Sequence, residues 1–305
     1  MSEASLEKKI RRTDYILIMY QLRFEEEVVL PAYALMRLRR ELRRIVKDFP
    51  GDSTQQAEWR NLLQPELPTD PVVLRRAQQP APGFVLRIES LQAHSYAAGD
   101  LLNLPVCFFS RGMFLVEPFT RLLETLGPIG IHNKMGRFHL ESIEDNYEVS
   151  ENKQLWAGGP FQIAPYLGDL TQILDDLPPE SAKFQFLTPA RVLKNSRPLF
   201  RPDFAEIFPF VLRRVTGMLA VWADLEDLFD VDYLCDSVTK ITESENNLRW
   251  QDWRPLQNNE EVGGLCGSVV LSGEELGNFW TVLRIGELFG VGKGAAFGAG
   301  RFRLI

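Results

Sequence analysis

The stretch Leu283–Leu304, LRIGELFGVGKGAAFGAGRFRL, decides the fold. Its first third closes an apolar-striped helix predicted over Glu275–Leu288. Its middle places Gly290, Gly292, Gly294, Gly298 and Gly300 in eleven residues, and its end opens the closing strand RFRLI, 301–305. Glycine-rich turns between a helix and a strand let the backbone pass close to another backbone, because no Cβ intervenes. The GVGKG run is not a P-loop, since it leads into a strand and does not open a helix.

Working outward, strands are predicted at Gly264–Leu271 and Lys240–Trp253, with an acidic short helix over Asp224–Ser237. Before these come a long helix from Pro202 to Ala223 and a strand in FQFLTP, 184–189. The order is β-α-β-β-α-β. The first part of the chain repeats it. DYILIMYQLRF, 14–24, is a strand rich in β-branched and aromatic residues. A helix over Ala32–Asp48 stripes Leu35, Leu38, Leu42 and Val46 at helical spacing. Strands Phe84–Leu91 and Asp100–Phe109, a helix Phe114–Leu126 with Phe119, Leu122, Leu123 and Leu126 inward, and a strand in RFHLESI, 137–143, complete the set. The expectation is an α+β protein of two tandem ferredoxin-like (RRM-like, βαββαβ) domains. They are placed at 1–145, with a loop or insertion at 50–82 holding a short helix near Trp59, and at 183–305 with the glycine-rich loop 290–300. A linker with extra strands, 146–182, joins them.

Composition narrows the function. A hydrophobic content of 45% and a charged content of 25% suit a folded core and argue against disorder. No apolar run approaches the ~18 residues of a membrane helix, and the N-terminus has no signal-peptide pattern. The expectation is a cytoplasmic protein. Cys107, Cys235 and Cys266 lack metal-ligand spacing and read as free thiols. No carboxylate set has metal spacing and no Ser-His-Asp or Cys-His pattern stands out, so no metal or cofactor is expected. The net charge of −7 argues, on average, against a nucleic-acid binder. The distribution matters more: the first helix carries Arg37, Arg39, Arg40, Arg43, Arg44 and Lys47 against only Glu41 and Asp48. Such a stripe is a solvated face, an RNA footprint or a dock for an acidic subunit.

The closing stretch, together with FQFLTPARVL and LFRPDFAEIFPFVLRRVTGML upstream and LRWQDWRPLQNN…VGGLCGSVVL between, resembles the CRISPR-associated RAMP endoribonucleases that process precursor CRISPR RNA. YAAGDLLNLPVCFFSRG and LLETLGPIGIHNKMGRFHLESI follow the family's outline in the first half. The resemblance implies CRISPR repeat RNA as partner, with other CRISPR effector subunits or a second copy as further partners. It implies metal-independent cleavage, in which the 2′-hydroxyl attacks the neighbouring phosphate and the protein supplies a base, an acid and a cation. RNA-binding candidates are the loop glycines, as amide donors to phosphate, with Lys293, Arg301 and Arg303 beside them. Arg37, Arg40 and Arg44 add the helix.

Catalytic candidates are His132 and Lys134, in the glycine-bearing turn GPIGIHNKMG, and Tyr33 at the start of the basic helix. Two positions depart from the family. The first helix has Tyr33 and arginines where many relatives have a histidine, and Gly290 stands where many have one before the loop valine. An inactive RNA-binding subunit of an effector complex and a protein-interaction RAMP scaffold are therefore the alternatives. His94 reads as a surface residue and His139 as a sheet histidine. Trp250, Trp253 and Arg254 suit base stacking or a strand's core face.

Overall fold

Strand β1, Asp14–Phe24, buries Ile16, Ile18, Tyr20, Leu22 and Phe24 on one face, every second residue, as a strand against a helix layer must. It belongs to a computed structural model that describes residues 13–66, 80–88, 91–147, 154–159, 165–253 and 262–305. Among these the chain divides into two compact units, 13–168 and 169–305.

In the first unit β1 is followed by α1 (Leu38–Asp48), α2 (Ser53–Leu63), β2 (Phe84–Leu86), β3 (Leu101–Phe109), α3 (Val116–Leu126) and β4 (Phe138–Asp145). The sheet order is β2-β3-β1-β4, antiparallel throughout, with Gln154–Trp156 added beside β4. That is the ferredoxin-like order. The predicted inward residues of α3, Phe119, Leu122, Leu123 and Leu126, are all fully buried. Helix α1 begins later than Ala32. Tyr33 has a left-handed backbone, φ 63°, and a single 3-10 turn, Leu35–Arg37, intervenes. β2 is shorter than expected, and residues 89–90 of the predicted strand lie outside the described residues.

The insertion after Pro50 holds more structure than its polar sequence advertises. Asp52 caps α2 by accepting from the Thr54 N–H at 2.9 Å. Trp59 is fully buried, and its indole N–H donates to the Pro118 carbonyl at 3.1 Å. Burying such a ring is worth upwards of ~2 kcal/mol, which fastens the insertion to α3.

The second unit runs β5 (Ser181–Phe186), α4 (Phe204–Ala223), β6 (Thr242–Ser244), β7 (Arg249–Trp253), β8 (Val262–Cys266), β9 (Ser268–Ser272), α5 (Leu276–Phe289) and β10 (Phe302–Leu304). Its main sheet is β6-β9-β5-β10, again the ferredoxin-like order. Phe184 of β5 stacks on Phe302 of β10 at 4.4 Å, and Phe208 of α4 meets Phe279 of α5 at 5.0 Å. Two predicted strands divide here. Lys240–Trp253 separates into β6 and β7, and Gly264–Leu271 breaks at Gly267 (φ 101°) into β8 and β9. A Cβ at Gly267 would run into the Asn247 carbonyl, so the break requires glycine. β7 and β8 pair with each other as a hairpin outside the main sheet. Helix α4 starts at Phe204, past Pro202, and the Glu243 carboxylate accepts the Phe204 N–H at 2.7 Å.

Candidate nucleic-acid interface

The glycine-rich loop of the second unit is wound tightly on itself. Gly290, Gly292, Gly294, Gly298 and Gly300 all have positive φ, between 63° and 89°. The Thr188 hydroxyl donates to the Gly298 carbonyl at 2.7 Å and accepts the Arg301 N–H at 2.8 Å, fastening both ends of the coil to the chain after β5. This revises the amide cradle expected from the sequence. The Gly290 N–H donates to the Gly286 carbonyl at 2.8 Å, that of Gly298 to Ala295 at 3.0 Å and that of Gly300 to Pro189 at 2.9 Å. Those three amides serve the fold. Val291 and residues 295–300 are buried, and the loop reaches solvent only at Gly292, Lys293 and Gly294. Lys293 is exposed, Arg301 is buried at 9% exposure, and Arg303 is exposed with its guanidinium on Gln185 at 3.1 and 3.3 Å.

In the first unit the turn after α3 meets the basic helix. His132 and Met135 exchange backbone hydrogen bonds at 3.2 and 2.9 Å across Asn133 (φ 50°) and Lys134 (φ 62°). Two left-handed central residues mark a type I′ turn. His132, the catalytic candidate of this turn, is buried at 3% exposure. Its Nε2 lies 3.0 Å from the Asn133 amide nitrogen, and its Nδ1 is buried with no hydrogen-bond partner among the described residues. Burial pushes its pKa below the ordinary value, aided by Arg37 and Arg40 and opposed by Glu41. Lys134 is exposed on the turn. Tyr33 is half-buried, and its N–H donates to the Leu91 carbonyl at 3.0 Å.

Glu41 is the residue that charge counting missed. Its side chain has no exposure. It accepts from Arg40 at 3.0 and 3.2 Å, and its second oxygen lies 2.7 Å from Arg44. Arg40 also donates to the Asn133 side chain at 2.5 Å, tying helix to turn. The arginine stripe is therefore not uncompensated: Arg40 and Arg44 share a buried anion. The signal was in the spacing, because 38, 41, 42 and 45 form one helical face and put Glu41 among Leu38, Leu42 and Ile45. Arg37 is half-buried, while Arg43 and Lys47 are exposed.

The structure thus gathers His132, Asn133, Arg37, Arg40 and Glu41 in one unit, and Gly292, Lys293 and Gly294 in the other. Trp250 is half-buried with its indole on Asp252 at 2.6 Å; the Trp253 side chain and Arg254 lie outside the described residues. His94 is exposed, and His139 lies between Glu25 and Glu141 at 3.6 and 3.3 Å. Among the described residues, no group of three His, Cys, Asp or Glu is placed to hold a metal ion, and no helix is long and apolar enough to cross a membrane.

Residues 184–302, from within β5 to the first residue of β10 and including the glycine-rich loop, match the family model of the CRISPR-associated endoribonuclease Cas6. This second unit belongs to the Cas6 family of CRISPR-associated endoribonucleases. Residues 14–166 match a second family model, described as an N-terminal domain. No curated protein matches the sequence. Among solved structures, a Cas6 product complex is similar with a TM-score of 0.55 at 15% identity, over 95% of this chain and 100% of that one. Thermus thermophilus Cas6 is similar with a TM-score of 0.51 at 16% identity, over 96% and 99%. A partial Cas6-RT-Cas1–Cas2 complex gives 0.57 at 16% identity, over 96% of this chain and 46% of that one. At these identities the likeness speaks for the fold, the two ferredoxin-like domains of the RAMP type.

Proposed function

We propose that this RAMP protein binds CRISPR repeat RNA and cleaves precursor CRISPR RNA without a metal ion, by attack of the substrate's 2′-hydroxyl on the adjacent phosphate. The observation that carries the reading is the endoribonuclease family match across 184–302, glycine-rich loop included. Two surfaces support RNA contact: the Gly292-Lys293-Gly294 tip, and the α1 face bearing Arg37, Arg40, Arg43 and Lys47. Phosphate contacts of this kind set affinity and register, not sequence.

For the chemistry, Tyr33 is the favoured acid–base candidate. A non-glycine residue in left-handed backbone costs about 1–2 kcal/mol, and such strain collects where side-chain placement matters. Lys134, exposed on the His132–Met135 turn, is the candidate cation for phosphorane charge. His132, buried and kept neutral, orients Asn133 and through it Arg40. That assignment favours one alternative: with its one well-placed histidine buried, the chain would hold RNA as a non-cleaving subunit.

Cleavage of cognate repeat RNA in EDTA separates the two, with a 2′-deoxy substitution at the scissile nucleotide as chemical control. Activity that survives EDTA and fails on the deoxy substrate, and that drops in Tyr33→Phe, supports the enzyme. Tight binding without cleavage supports the RNA-holding subunit, and no binding at all refutes both.

A further inference from the structure

Two arginines outside the sequence reading lie against the glycine-rich loop. Arg214, on α4, is half-buried, and its Nε donates to the carbonyl of Phe289, the last residue of α5, at 3.4 Å. Its Nη2 is buried with no hydrogen-bond partner among the described residues. Arg191 lies in the segment that flanks the loop tip. Its carbonyl accepts the Lys293 N–H at 2.9 Å, and a Cβ on Gly292 would stand 2.6 Å from that same oxygen. The Arg191 Nε is likewise buried and unpartnered among the described residues. No ion pair among the described residues involves Arg191, Arg214 or Lys293.

A guanidinium withdrawn from water without a counter-ion is costly. The carbonyl end of α5 offsets part of that cost, because a helix C-terminus is partially negative. Burial lowers the Arg214 pKa to about 10, so it stays charged at neutral pH. Beyond that one acceptor at 3.4 Å, its buried Nη2 has no hydrogen-bond partner among the described residues. A tetrahedral anion with several oxygens is the group that matches an arginine fork.

We propose that Arg214 and Arg191, with Lys293 at the tip, form the anion seat of this loop and hold a backbone phosphate of the bound RNA. The proposal rests on the RNA reading above and deepens it: side chains make the phosphate contact, while the glycines let the chain pack closely enough to bring them there.

The test is fluorescence anisotropy of labelled repeat RNA across a salt series, with thermal melting of the same proteins without RNA. Arg214→Met and Arg191→Gln should each weaken binding about tenfold, the scale of one charged hydrogen-bonding contact. Each should also reduce the log–log salt slope by about 0.7. The Tm of Arg214→Met should hold or rise, since an uncompensated buried charge is gone; a merely structural arginine would lower it. Arg214→Lys keeps charge without the fork and should retain the slope with part of the affinity. If Arg214→Met does not fold, Arg191→Gln and Arg214→Lys still decide. Wild-type affinity in both arginine variants, with Lys293→Ala weakened, overturns the seat and leaves the RNA reading standing. Wild-type protein that binds no repeat RNA overturns both.

Discussion

Replacing Glu41 by glutamine should cost stability without costing RNA affinity. The segment 37–48 carries six basic residues against two acidic ones, and Glu41 is the acidic one with no solvent exposure. Glutamine keeps the shape, removes the charge and turns one acceptor into a donor facing a guanidinium. Removing one partner of a fully buried ion pair costs about 3–5 kcal/mol. Here the arginine side chains retain 48% and 30% exposure, so both turn to water once released. That relief brings the expectation to about 2 kcal/mol. For a unit of this length the melting temperature falls by about 2–4 °C per kcal/mol, which gives a drop of about 4–8 °C. Calorimetry of wild type and Glu41→Gln at neutral pH measures it. RNA affinity, measured alongside, should hold or rise, because the helix has gained one unit of positive charge. A melting temperature within about 1 °C of wild type would show that Glu41 does not hold the arginines in place, and the reasoning about this helix would fail.

Lys293→Ala should weaken RNA binding and take about 0.7 from the salt slope, with the melting temperature unchanged, because the side chain is exposed and has no ion-pair partner among the described residues; an unaltered slope would remove the tip from the interface. Gly300→Ala should destabilise the second unit by more than about 1 kcal/mol, read as a lower urea midpoint, since φ is 63° and the new Cβ meets the Val291 carbonyl. His132 should make the fold acid-sensitive. Its pKa is lowered by burial from 6.5, so above that pH both states are neutral and nothing changes. As pH falls below 6.5 the unfolded chain takes up a proton that the folded chain refuses, and stability drops. Urea midpoints above and below pH 6.5 should diverge less in His132→Gln than in wild type, and equal divergence would sink the assignment.

The repeated element order was legible because apolar spacing reports burial directly. Alternation in β1 and the 119-122-123-126 stripe of α3 each identify the face that packs. The glycine-rich loop was legible as a motif but misread as a row of free donors. Nothing in a run of glycines says whether their amides face outward or close upon Gly286, Ala295 and Pro189. Strand ends failed where one positive-φ glycine, Gly267, hands the chain from a hairpin to a sheet, since that depends on which strands pair. Trp59 was hidden because a polar insertion gives no stripe to count, and its partner, the Pro118 carbonyl, is remote in sequence. His132 lies in a turn, where periodicity says nothing of depth. Glu41 could have been read, but counting signs along a helix obscured which face each sign occupies.

The same distinction between totals and positions explains how a chain of net charge −7 can suit a polyanion. In the second unit the segment 224–236 holds six carboxylates and no basic residue. It begins where α4 ends, at Asp224, ten positions beyond Arg214. Along a helix that is about 15 Å. The screening length is about 10 Å at 0.1 M salt. At such salt Asp224 is a weak presence at Arg214, and Arg191, Arg214 and Lys293 have no ion-pair partner among the described residues. In the first unit the exposed Arg43 and Lys47 lie on the helix whose one buried anion, Glu41, is turned inward to the core. Net charge averages over separations that salt screens; an approaching phosphate responds to what lies within one screening length, and at both surfaces that is a cluster of cations.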